Sequence, residues 1–100
     1  DNYKSLFKQI SEVLKEKGTF VFSITHPCFS VPTTITVRIP KDSQRNEDKI
    51  RMVKNYFEKR PTLVQWNPDS VQLLYFQRTI GDYINALQKV NMVITEMSEP

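Results

Sequence analysis

The chain has 100 residues, of which 39% are hydrophobic and 25% charged, with a single cysteine. One domain fills that length, and the balance excludes a disordered tail, a collagen-like repeat and a disulfide scaffold. The formal net charge of +3 comes from residues 41–60, where seven bases (Lys41, Arg45, Lys49, Arg51, Lys54, Lys59, Arg60) meet four acids (Asp42, Glu47, Asp48, Glu58); interleaved acids favour a solvated connection over a nucleic-acid contact, which needs uncompensated cations.

No run approaches the roughly 20 apolar residues that cross a bilayer, and residues 1–8 lack the order of a signal peptide. The expectation is a soluble, cytoplasmic protein without a membrane partner. A helical pattern begins within a few positions of Asp1, so the chain reads as a piece of a longer protein.

From Tyr3 to Lys17 the residues Leu6, Ile10, Val13 and Leu14 recur at helical spacing. Asn2 or Ser5 suits the start, and Gly18 suits a left-handed stop. Thr19–Ile24 is almost continuously apolar, aromatic or β-branched, the pattern of a strand covered on both faces, as in parallel sheets. It runs out at His26–Pro27, because proline has no N–H to give to a ladder.

Thr33–Arg38 reads as extended, between Pro32 and Pro40. Between residues 50 and 57 two patterns coexist: Ile50, Val53, Tyr56 and Phe57 fit a short helix, while Ile50, Met52 and Tyr56 fit a strand. Asn67–Pro68–Asp69 reads as a turn and Val71–Phe76 as a short strand. A helix starts at Thr79, with Asp82 in its first turn and Ile80, Tyr83, Ile84, Leu87 and Val90 as its core stripe. Asn91 takes the left-handed stop, and Met92–Met97 is a second apolar strand. Helix, buried strand, long excursion, helix and strand make an α/β order with a parallel sheet, incomplete in this span. Its two strands leave edges for a larger sheet or for a second copy as a homodimer.

Chemistry concentrates after the first of these strands. Ligand crevices in open α/β sheets lie beyond the carboxyl ends of strands, which makes His26 a candidate pocket residue and a candidate base or donor. Cys28 reads as a small buried hydrophobe without a second base beside it. Tyr56 and Trp66 offer rings that either stack on a ligand or cover the core. Arg78, just before a helix start, works against the helix dipole, so a carboxylate or a substrate anion is expected to hold it. Two glycines make no phosphate loop, and one histidine with one cysteine makes no metal site.

Two blocks carry a resemblance. Leu14–Lys15, Gly18, Phe20–Ile24 and His26–Pro27–Cys28–Phe29 resemble the helix and fifth strand of class I S-adenosylmethionine-dependent methyltransferases of the small-molecule type. Arg78–Thr79–Ile80–Gly81–Asp82–Tyr83–Ile84–Asn85–Ala86–Leu87, with Glu99–Pro100, resembles that family's Arg-Thr helix and the Glu-Pro after its next strand. Gln77 stands where the family often has histidine, and Asn91–Met92 where it has Gly-Phe. The resemblance implies the C-terminal half of a Rossmann-like methyltransferase domain: residues 1–29 a helix and strand, 30–76 a cover on the substrate side, 77–100 a helix and strand. It implies a small-molecule methyl acceptor lined by His26, Tyr56, Trp66 and Arg78. S-adenosylmethionine would be bound mainly by residues upstream of Asp1. The alternative reading is a non-catalytic binding or oligomerisation module.

Overall fold

A computed structural model describes residues 2–30, 34–40, 47–65 and 67–99. The elements run α1 (Tyr3–Val13), β1 (Thr34–Pro40), β2 (Glu47–Val53), β3 (Thr62–Val64), β4 (Leu73–Tyr75) and α2 (Ile80–Lys89). Among the described residues the protein is a small α/β chain of two helices and two small antiparallel sheets. It divides into two compact units, one formed by Asp1–Ile24 with Ile80–Pro100 and the other by Thr25–Thr79.

The first unit is built on its two helices. Phe7, only 4% exposed, packs with Ala86 and Leu87, and Tyr3, Ile10, Phe20, Tyr83, Val90 and Met92 close around them. Tyr3, Phe20, Phe22 and Tyr83 present their rings to Phe7 at centroid distances of 5.6 to 6.4 Å, mostly edge-on or tilted. Those geometries suit the ring quadrupole, at about 0.5–1.5 kcal/mol per pair beyond burial. The buried face of α1 is therefore Tyr3, Phe7 and Ile10. The expected stripe is turned by one position, and Leu6 and Val13 are exposed. Both stripes have helical spacing, but only the observed one buries two aromatic rings.

Helix α1 also stops earlier than expected. Leu14 is extended, with ψ 129°, and caps α1 by its N–H on the Ile10 carbonyl. Lys17, not Gly18, takes the left-handed conformation, at φ 62°. Gly18 is needed for space: a Cβ there would lie 2.7 Å from the Lys15 carbonyl oxygen. Helix α2 ends as its sequence suggests. Asn91 is left-handed at φ 60°, while Met92 N–H reaches Leu87 O at 3.0 Å and Asn91 N–H reaches Gln88 O at 3.1 Å. This is the paired closure of a Schellman motif, with Met92 packed back on the core.

The segments expected as buried parallel strands join neither sheet. Residues 19–26 and 92–99 belong to no helix or ladder, and their side chains are largely open, with Val21 84% and Val93 82% exposed. Their composition calls for a covered strand, but burial needs neighbouring strands that the described residues do not supply.

The second unit consists of two ribbons. In β1–β2, Ile35 pairs with Met52, Val37 with Ile50 and Arg38 with Lys49. Alternation puts Ile35, Val37, Ile39, Ile50 and Met52 on one side, and these remain 40% to 57% exposed. The two-way pattern of residues 50–57 resolves as strand to Val53, then a turn closed by Glu58 N–H on Asn55 O at 3.0 Å. In β3–β4, Leu63 pairs with Leu74 and Val64 with Leu73, and Val64 is buried. The expected turn at 67–69 is built by Asp69 N–H on Asn67 Oδ1 at 3.1 Å and Ser70 N–H on Asn67 O at 3.1 Å. Residue 33 and residues 41–46, within the expected extended stretch and polar connection, lie outside the described residues.

Candidate functional site

His26 begins a tight turn whose second residue is proline, a ring already set for that position. Phe29 N–H closes the turn on His26 O at 3.1 Å. Inside it, Cys28 N–H donates to His26 Nδ1, also at 3.1 Å. A nitrogen that accepts a backbone N–H carries no proton, so the neutral imidazole holds its hydrogen on Nε2. A base acting through Nε2 needs the opposite tautomer, which would set an Nδ1–H against the Cys28 N–H. The local geometry therefore makes His26 a donor at Nε2. Its ring is half-buried and lies 4.7 Å from the Phe29 ring, and the Arg51 guanidinium sits 5.8 Å over the Phe29 ring.

The segment after the turn is tied to the ribbons by side chains. Thr34 Oγ1 donates to Cys28 O, and Ser30 Oγ shares a hydrogen bond of 3.2 Å with the Tyr75 hydroxyl. Cys28 is a free thiol, half-buried rather than fully enclosed.

Gln77 joins the turn to the Tyr56 segment. The side chain is 6% exposed, and its Nε2 donates to Pro27 O and to Tyr56 O, each at 3.4 Å. Both partners are carbonyls and can only accept, which fixes the orientation of the amide. These bonds are long and therefore weak. Its Oε1 is buried without a hydrogen-bond partner among the described residues, a state that costs about 1–3 kcal/mol when nothing offsets it. Amino-acid patterning could not nominate this residue, because its partners lie 50 and 21 residues away in the chain.

The expected site residues are thus placed unevenly. His26 and Tyr56 belong to segments that Gln77 holds together. The Tyr56 ring, half-buried, meets Phe57 edge-on at 4.9 Å. Arg78 directly follows Gln77 and carries its guanidinium 6.0 Å over the Phe76 ring. Trp66 lies outside the described residues. Among the described residues no group of three or more His, Cys, Asp or Glu is arranged to hold a metal ion, and no helix is long and apolar enough to cross a membrane.

No protein-family model, curated protein or solved structure matches this chain.

Proposed function

We propose that these residues are the acceptor-side portion of a class I S-adenosylmethionine-dependent methyltransferase with a Rossmann-like sheet, which moves a methyl group onto a small molecule. The observation that carries this reading is the state of residues 19–24 and 93–97. Each segment follows a helix, each belongs to no helix or ladder among the described residues, and each leaves most of its side chains open, Phe20 being the one packed on the helical core. Two helices packed together, each feeding an unpartnered strand-like segment, form the outer layer of an α/β fold whose sheet neighbours come from elsewhere. The His26–Pro27 turn directly after residues 19–24 is where such folds place their ligand crevice.

The residues of this chain do not fit the methyl donor itself. Gly18 is consumed by a close approach to Lys15 and Gly81 lies within the first turn of α2, so neither opens a glycine-rich cradle. What this chain supplies is acceptor binding. His26, Tyr56 and Arg78 are the residues assigned to line the acceptor, and Gln77 ties the His26 turn to the Tyr56 segment. Their share in catalysis is placement of the acceptor and exclusion of water.

Calorimetric titration of S-adenosylmethionine tests this reading on the 100 residues and on a chain extended upstream by about a hundred more, one further domain's worth. Weak binding by the first and firm binding by the second is the expected pair of results. Firm binding by the 100 residues alone refutes the assignment.

A second reading, a non-catalytic binding or oligomerisation module, draws on the open apolar side of the β1–β2 ribbon. Light scattering over a concentration series separates the two, since a stable dimer of the 100 residues favours the module.

A further inference from the structure

Strand pairing sorts the charges that the sequence interleaves. Along β2, Lys49 and Arg51 fall on the side of the ribbon opposite to Ile50 and Met52, and Arg38 of β1 stands directly across from Lys49. All three cations are exposed. Like charges set opposite each other weaken a ribbon that has little burial of its own. No acid of β2 stands between Lys49 and Arg51 on this side. Asp48 pairs with Ile39 on the apolar side, Glu47 ends the ribbon opposite Pro40, and Glu58 is bound by Arg60.

The row of cations leads to open aromatic rings. Thr34, opposite Val53 at one end of the ribbon, donates from Oγ1 to Cys28 O and so fastens the His26 turn there. The Arg51 guanidinium lies 5.8 Å over the ring of Phe29, which is 48% exposed. Gln77 Nε2 binds the carbonyls of both Pro27 and Tyr56, which brings Phe57, 79% exposed, to the same end. Cations in a row beside open rings are the combination that holds single-stranded nucleic acid, because cations take phosphates and rings stack on unpaired bases. A duplex keeps the faces of its bases stacked on one another, and an acidic peptide has no bases to offer.

We propose that the Lys49–Arg51 side of the β1–β2 ribbon, together with Phe29 and Phe57, binds single-stranded nucleic acid. Lys49 and Arg51 contact phosphates, and the two rings contact bases. This surface goes beyond the methyl-acceptor reading and does not depend on it.

Fluorescence anisotropy of the full chain with labelled oligothymidine, over a series of salt concentrations and without S-adenosylmethionine, tests the proposal. Binding is expected at low salt, with log K falling against log salt at a slope of about −1.4, the value for two phosphates on a single strand. A duplex of the same length and polyglutamate should each bind about fivefold or more weakly. The double variant Lys49→Gln, Arg51→Gln is expected to lose about tenfold or more in affinity and to flatten the slope. Phe57→Leu, at an open position, should lose about fivefold or more with the slope unchanged. No binding of oligothymidine, equal binding of the duplex or of polyglutamate, or unchanged affinity in either variant overturns the proposal, and the comparison of probes needs no variant to fold. Because no methyl donor is present, such a failure leaves the calorimetric test of the methyltransferase reading untouched.

Discussion

In the two-helix unit Phe7 sits among four aromatic rings, whereas in the ribbon unit a buried amide, Gln77, reaches across long stretches of chain to two backbone carbonyls. The first unit is held by apolar burial around a common centre. The second keeps most of its apolar strand residues open and is organised by hydrogen bonds. A two-stranded ribbon gains little from its own burial, so polar cross-links such as Gln77 and the Ser30–Tyr75 pair decide where its segments lie. The contrast separates a unit held by an apolar centre from one held by polar cross-links.

Substitutions at the centre of each unit test that contrast. Phe7→Ala empties the core of the helical unit and is expected to cost about 3–5 kcal/mol, read by denaturant unfolding. A loss below about 1 kcal/mol would mean that the aromatic cluster is not the unit's core. Close behind α1, Gly18→Ala forces a Cβ against the Lys15 carbonyl and should cost about 1–3 kcal/mol. The neighbouring Lys17→Gly relieves a left-handed lysine and should be neutral or stabilising by up to about 1 kcal/mol. If both changes act alike, the assignment of strain to Lys17 and of crowding to Gly18 is wrong.

In the ribbon unit Gln77→Leu removes two long hydrogen bonds together with one orphaned oxygen. These effects oppose each other, so the expected net cost is about 1 kcal/mol, well below that of Phe7→Ala. A cost matching that of Phe7→Ala would erase the distinction between the units. Ile50→Thr, on the open side of β2, keeps β-branching and should change stability by no more than about 0.5 kcal/mol.

The helices were legible because apolar spacing is a local signal, although the aromatic rings of Tyr3 and Phe7, rather than Leu6 and Val13, chose which side of α1 is buried. The close of α2 at Asn91 was legible for the same reason, since cap chemistry is local. Residues 19–24 and 92–97 read as covered strands but join no ladder and stay largely open, because pairing and burial of a strand depend on neighbours that its own residues do not encode. Three-residue β3, between Pro61 and Gln65, is too short to show a period. The turn at His26 could be read from His-Pro, but its tautomer depends on the Cys28 N–H, and Gln77 becomes a site residue only through partners brought from far along the chain.

The central claim of the proposal is that residues 19–24 and 93–97 are strands awaiting a sheet. Amide hydrogen exchange measures this directly, on the 100 residues and on the chain extended upstream. Exchange near the unstructured rate in the first, slowed by about a hundredfold or more in the second, is the expected result. Protection of these amides in the 100 residues alone, or equal rates in both chains, would contradict it.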